Sequence, residues 1–253
     1  MTLHALRALV LAVALALPLA GGAQPARDLF GRIDSPAPIA PEAYGQHAAG
    51  CLGGAVPLPL TGEGWQVMRP SRGRNYAHPE AIAFVERLGG VARTLGWPRL
   101  LIGDISQPRG GPMRSGHRSH QIGLDIDIWL RPGPEVPLAR RETETLAAHS
   151  VVAPGRQRLN GRWSEAHSAL LEAAARDPAV DRIFVNPAIK SALCRARPPG
   201  RRAWLRRLRP WWGHDAHFHV RLACPEGERS CIPQAPVPPG DGCDGTLAWW
   251  FTE

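Results

Sequence analysis

His120-Gln121-Ile122-Gly123-Leu124-Asp125-Ile126-Asp127-Ile128-Trp129 and His214-Asp215-Ala216-His217-Phe218-His219-Val220 are the two stretches that decide how this chain folds. Side chains alternate between the two faces of a strand. In the first stretch Leu124, Ile126 and Ile128 fall on one face, and Asp125 and Asp127 on the other. In the second, Ala216, Phe218 and Val220 fall on one face, and His217 and His219 on the other. If the two strands are neighbours in one sheet, their apolar faces share a core. The imidazoles and carboxylates then converge on the open side. His120 precedes Asp127 by seven residues, and Gly123 between them lets the chain turn, so His120 can swing over the same place.

That convergence fits a zinc ion. A catalytic zinc takes three protein ligands and keeps a position for water. His120, Asp127 and His219 supply the three. A lone His-x-His, or a lone Asp-x-Asp on a strand, is usually a solvated face. Here five of the ten histidines (117, 120, 214, 217 and 219) fall in two tight clusters, which favours the metal.

The same residues carry a family resemblance. Gly116-His117-Arg118-Ser119-His120, running on to Trp129, resembles the first zinc motif of the penicillin-insensitive murein endopeptidases. His214 to Val220 resembles their second motif, and Arg182-Ile183-Phe184-Val185-Asn186-Pro187-Ala188-Ile189-Lys190 is also similar to that family. The broader group is the LAS-type zinc peptidases, which share His-x6-Asp followed by His-x-His. The resemblance runs from about Gly50 to the end. It implies a zinc-dependent endopeptidase that hydrolyses D-alanyl–diaminopimelyl cross-links in peptidoglycan. No serine is acylated in that chemistry, so β-lactams would not inhibit it. The alternatives are a D,D-carboxypeptidase or dipeptidase with the same metal core, or a non-catalytic cell-wall-binding module. Retention of His217 counts against the last.

A peptidase needs a base to take the water's proton and pass it to the leaving amine. The chain has no His-Glu-x-x-His helix motif to supply one. His217 is the best candidate, two residues before His219 on the same strand face, and the resemblance implies the same role. His117 and His214 lie near the cluster but out of strand phase. Three roles are open to them: orienting ligands, binding substrate, or sharing the base role. Asp125 is either an acceptor for an imidazole N–H or a solvated side chain. Arg114 and Arg118 flank the motif, where they could meet a stem-peptide carboxylate or simply be solvated.

The chain opens Met1-Thr2-Leu3-His4-Ala5-Leu6-Arg7, then an apolar run to Ala20 and small residues to Ala23. This reads as a secretory signal peptide over 1–23, too short to span a membrane. Residues 24–49 read as an irregular N-terminal arm, and 50–253 as the zinc peptidase domain. Five cysteines in an exported chain imply disulfides. Cys224 and Cys231 bracket a short loop and come first, and Cys194 with Cys243 comes next. Cys51 is left over, free or paired between chains. The formal charge of +8 admits nucleic acid, an anionic surface or the acidic cell wall as partners. Export disfavours nucleic acid and points to the periplasm and to peptidoglycan peptide stems. Oligomeric state is left open.

The expected fold is α+β: a small antiparallel or mixed sheet bearing the zinc site, flanked by short helices and long loops. Helices are predicted from His78-Pro79, from Ser164 to Asp177, and from Asn186-Pro187 to about Cys194, with a weak one near 142–149. In the first, Ile82, Val85, Leu88 and Val91 form the stripe, and Gly89-Gly90 weakens or ends it. Strands are predicted at Trp65–Met68, Arg99–Asp104 and Arg182–Val185. Residues 195–212 are dense in arginine and tryptophan, and read as a basic rim beside the site.

Overall fold

A computed structural model describes residues 24–252. The signal-peptide reading of 1–23 lies outside the described residues. Along the chain come α1 (Ala26–Phe30), β1 (Glu42–Gln46), β2 (Ala49–Gly53), β3 (Val56–Pro57), β4 (Thr61–Gly62), β5 (Trp65–Val67) and β6 (Tyr76–Ala77). Next are α2 (Pro79–Thr94), β7 (Leu100–Ile102), β8 (Asp125–Trp129), α3 (Arg140–Thr145), α4 (Glu165–Arg176), β9 (Val180–Val185) and α5 (Pro187–Ala196). The chain closes with β10 (Leu208–Pro210), β11 (His217–Leu222) and α6 (Gly245–Ala248).

The main sheet is mixed and has seven strands, in the order β10-β9-β11-β8-β7-β5-β4. At its centre β8 and β11 run antiparallel, with His219 opposite Asp127 and Arg221 opposite Asp125. The two stretches quoted first are therefore direct neighbours. Leu124, Ile126, Ile128, Phe218 and Val220 are fully buried. They share one core with Phe84, Val85 and Leu88 of α2 and with Leu170, Leu171 and Ala174 of α4. The polar residues at alternate positions are left on the other face. Burying a side chain of this size is worth roughly 1.5–3 kcal/mol, so a one-residue slip in register, which would exchange the faces, is strongly disfavoured.

Local rules account for the helix starts. His78 Nδ1 accepts from the Glu80 N–H at the head of α2, with Pro79 at the first helical position. Asn186 does the same for Ala188 at the head of α5. In α4 the His167 ring reaches back to the Ser164 N–H.

Two expectations change. Helix α2 does not stop at Gly89-Gly90. The Gly64 backbone packs so close that a Cβ on Gly89 would lie 3.1 Å from its carbonyl oxygen. The glycine serves close approach rather than termination, and the buried stripe is Ala81, Phe84, Val85, Leu88 and Ala92 instead of one reaching Val91. The arm 24–49 is not wholly irregular either, since β1 pairs with β2 in a hairpin. Gly50 on β2 has no room for a Cβ, with Tyr44 O at 2.2 Å, so the glycine that hides the strand in the sequence is what permits the pairing.

Candidate metal centre

The site is built on the polar faces of β8 and β11 and on the loop before β8. Asp127 is its centre. His120 Nε2 lies 3.4 Å from Asp127 Oδ1, and His219 Nδ1 lies 3.2 Å from the same oxygen. His117 Nε2 is 3.4 Å from Asp127 Oδ2. His217 Nε2 is 3.7 Å from Oδ1.

The His120 and His219 imidazoles each have the second nitrogen engaged. His120 is fully buried, and its Nδ1 donates to the Ile105 carbonyl at 2.7 Å, which leaves the Nε2 lone pair free. His219 Nε2 donates to Asp125 Oδ1 at 2.9 Å, which leaves Nδ1 free. His120 Nε2 and Asp127 Oδ1 are buried yet lack hydrogen-bond partners. Unpartnered buried polar atoms are costly, and here two of them face each other at the same point. Two imidazole nitrogens and a carboxylate oxygen converging in this way suit a divalent ion, and His117, His120 and Asp127 bring one potential ligand atom each to within 4.8 Å of the others.

Asp125 faces the same side as Asp127 but lies deeper, fully buried. It accepts from His219 Nε2, from the His120 backbone N–H at 2.8 Å, and from Arg221 at 2.7 and 3.2 Å. Of the two alternatives for this residue, the acceptor is the one observed. Burial alone would lower His219, but the Asp125 carboxylate outweighs it and draws the imidazole upward, which makes it a better donor to a metal. For Asp127, burial alone would raise the carboxyl. Its interactions with the surrounding histidines, His120 and His217 first, outweigh it and hold the group well below the usual carboxylate range.

His217 is 30% exposed at its side chain and opens to solvent. Burial pushes it down, with partial opposition from Asp127. His214 joins the cluster from outside the strand, its ring 5.0 Å from that of His217. It does so in the left-handed region, at φ 49°, as does His120 at φ 66°. Backbone of this kind at non-glycine residues costs on the order of 1–3 kcal/mol and gathers at functional sites. His214 Nδ1 donates to the Trp212 carbonyl, and burial lowers the ring to about 4.

His117 is anchored by Asp104, 3.1 Å from its Nε2. Arg74 at 2.8 Å and Arg72 at 3.3 Å complete the shell around Asp104. Burial would raise this carboxyl, but hydrogen bonds from His117 and Arg74 outweigh it and bring it to about 2. Asp104 and its arginines were not legible from spacing, since an aspartate ending an apolar strand is ordinary. Arg221 continues the phase of His217 and His219 by one more step and could have been found that way. Arg114 is not brought to the cluster by any contact seen here: it pairs with Asp28 of α1 at 3.2 Å.

The disulfides are Cys194–Cys243 and Cys224–Cys231, and Cys51 is free and half-buried.

Converging lone pairs, ordered from behind and open on one side to solvent, are the layout that metal-assisted hydrolases use. A family model described as penicillin-insensitive murein endopeptidase matches residues 43–253. Proteins of that name are similar over most of the chain. The Haemophilus influenzae protein is 49% identical over 82% of this chain and 72% of its own length. That of Klebsiella pneumoniae strain 342 is 41% identical over 94% and 87%, and that of Escherichia coli O157:H7 40% over 95% and 87%. The chain belongs to the penicillin-insensitive murein endopeptidase family.

Proposed function

We propose that this murein endopeptidase cleaves D-alanyl–diaminopimelyl cross-links at a zinc ion held by His120, Asp127 and His219, with His217 as general base. One observation carries the reading: the free lone pairs of His120 Nε2 and His219 Nδ1 meet at Asp127 Oδ1. His117, not His219, completes the set of ligand atoms that all lie within 4.8 Å of one another, but its Nε2 is already engaged by Asp104. That favours an orienting role for His117 and leaves His219 as the third ligand.

When bound, zinc polarises the scissile carbonyl and acidifies water. The remaining work falls to the chain. Asp125 fixes the His219 tautomer, and the Ile105 carbonyl fixes that of His120. His217, beside the ligand oxygen and open to the cleft, takes the proton from the attacking water and returns it to the leaving amine. Its lowered pKa keeps it neutral, as a base must be. His214, neutral for the same reason and with its Nδ1–H given to the Trp212 carbonyl, accepts a hydrogen bond at Nε2 without adding charge. The substrate is the peptide stem of peptidoglycan.

The compartment follows from the chemistry. Murein and two disulfides both belong outside the cytoplasm, and residues 1–23 serve as the export signal. Among the described residues no helix is long and apolar enough to cross a membrane.

Mass spectrometry of products from purified muropeptide dimers tests the reaction. Two monomers are expected, and release of free D-alanine alone would refute the endopeptidase assignment. Metal analysis tests the ligands: His120→Ala, Asp127→Ala and His219→Ala should each lose zinc. Full zinc occupancy in all three would refute the site.

A further inference from the structure

We propose that an aromatic ledge beside the centre binds the saccharide of the glycan strand that carries the substrate's peptide stem. This rests on the murein reading above and extends it from the peptide to the sugar. The ledge is assembled from two distant segments. Trp211 and Trp212 follow β10, and Trp249, Trp250 and Phe251 form the single turn after α6. Trp212 and Trp250 meet edge to face at 5.0 Å, and Trp249 lies 5.2 Å from Trp250. Trp211, Trp212 and Trp249 are 54%, 41% and 51% exposed. Single exposed apolar residues are unremarkable, but a group of large rings left open together marks a binding surface.

Its shape favours a ring-sized guest. Trp212, Trp250 and Phe251 wall a cavity of about 140 Å³, faced by Arg156 and Gln157. Flat apolar walls with a few polar groups opposite are how small-molecule sites are made, and a pyranose offers an apolar face and a polar rim. Gly155 and Arg156 also line a second cavity, of about 510 Å³, which reaches Arg162 and Asp215. The two share Gly155 and Arg156 and extend to Asp215 of the second metal motif, a length of surface suited to a polymer rather than to one sugar.

Its position favours the glycan over other partners. The ledge connects to the catalytic face through rings: His219 to Phe184 at 5.3 Å, Phe184 to Trp211 at 5.9 Å, Trp211 to Trp250 at 6.3 Å. A peptide stem of four residues, fully extended, spans roughly 13 Å. The ring-to-ring steps from His219 to Trp211 together fall short of that span, so a stem with its far end at the centre can reach the ledge with its sugar.

The test uses the mature, zinc-loaded protein and chitotetraose, a peptide-free saccharide. Millimolar chitotetraose should shift tryptophan fluorescence, and Trp250→Ala and Arg156→Ala should abolish or weaken that shift. The fluorescence shift does not depend on turnover, so failure of the peptidase assignment would leave the saccharide result intact, and the reverse. Kinetically, Trp250→Ala should raise KM about tenfold for a stem dimer still bearing its glycan, the scale of one lost aromatic contact. It should leave KM for the glycan-free dimer unchanged. No fluorescence shift in the wild type, or an equal KM rise on both dimers, would overturn the proposal. So would loss of binding to phosphatidylglycerol vesicles in Trp249→Ala with both KM values unchanged, which would make the ledge a membrane contact.

Discussion

Asp125→Asn is the substitution that most directly probes how the centre is held. The carboxylate is fully buried and receives four hydrogen bonds: from the His219 ring, the His120 backbone and twice from Arg221. Arg221 is itself only 6% exposed. The amide is nearly isosteric, so no cavity forms, but it cannot accept on both sides and brings two donors of its own. Removing one partner of a buried ion pair costs about 3–5 kcal/mol. In Asn one oxygen survives as an acceptor, and Gln234 still receives Arg221 at 2.9 Å, so about 3 kcal/mol is expected. At roughly 2–4 °C per kcal/mol for a chain of this size, the melting temperature should fall by about 6–12 °C. Metal affinity should fall by roughly 10–100-fold, the usual effect of losing an acceptor behind a ligand imidazole. Urea unfolding and competition with a chromogenic zinc chelator read the two quantities separately. An Asn variant with wild-type zinc affinity would refute the claim that Asp125 fixes the His219 tautomer, whatever its stability.

Three further outcomes are expected. His217→Ala should keep zinc and fold while cutting cross-link cleavage by about 10²–10⁴; loss of zinc together with activity would make His217 a ligand. Because burial lowers His217 from its ordinary 6.5, the neutral base persists to lower pH, so the acid limb of kcat/KM should fall below pH 6.5, and a limb above 7 would count against this base. Asp104 has its folded-state value, about 2, below the 3.8 of an unperturbed aspartate. Its stabilisation, about 2 kcal/mol, is therefore present above pH 4 and lost as pH falls toward 2, and the stability gap between wild type and Asp104→Asn should close over that window in acid titrations followed by circular dichroism.

The centre of the fold was legible because one alternation sets two things at once. Ile126 and Ile128 must go inward, so Asp125 and Asp127 must face out, and the same holds for Phe218 and Val220 against His217 and His219. That β8 and β11 are neighbours was only a condition of that reading, and the structure meets it. What stayed hidden depends on contacts between segments far apart in the chain. Gly89 looks like a helix breaker until Gly64 is seen against it. Asp104 looks like a strand end until His117, Arg72 and Arg74 close around it. His214 lacks strand phase, and only its left-handed backbone returns its ring to the cluster. Arg114, near the motif in sequence, was open to a stem-peptide carboxylate or to solvent, and nothing local foretold its pairing with Asp28.

The bond between Cys194 and Cys243 closes a covalent ring with a sequence separation of 49. His214, His217 and His219 all lie inside that ring, and so does the smaller loop closed by Cys224 and Cys231. Closure of a ring this long removes roughly 4 kcal/mol worth of freedom from the unfolded chain. It also imposes an order of events. The ring cannot close until Cys243 has been made and has reached an oxidising compartment. A copy that lingers among reducing thiols keeps half of its centre on an untethered segment. On the export route proposed above, the ring closes on the side of the membrane where the wall is.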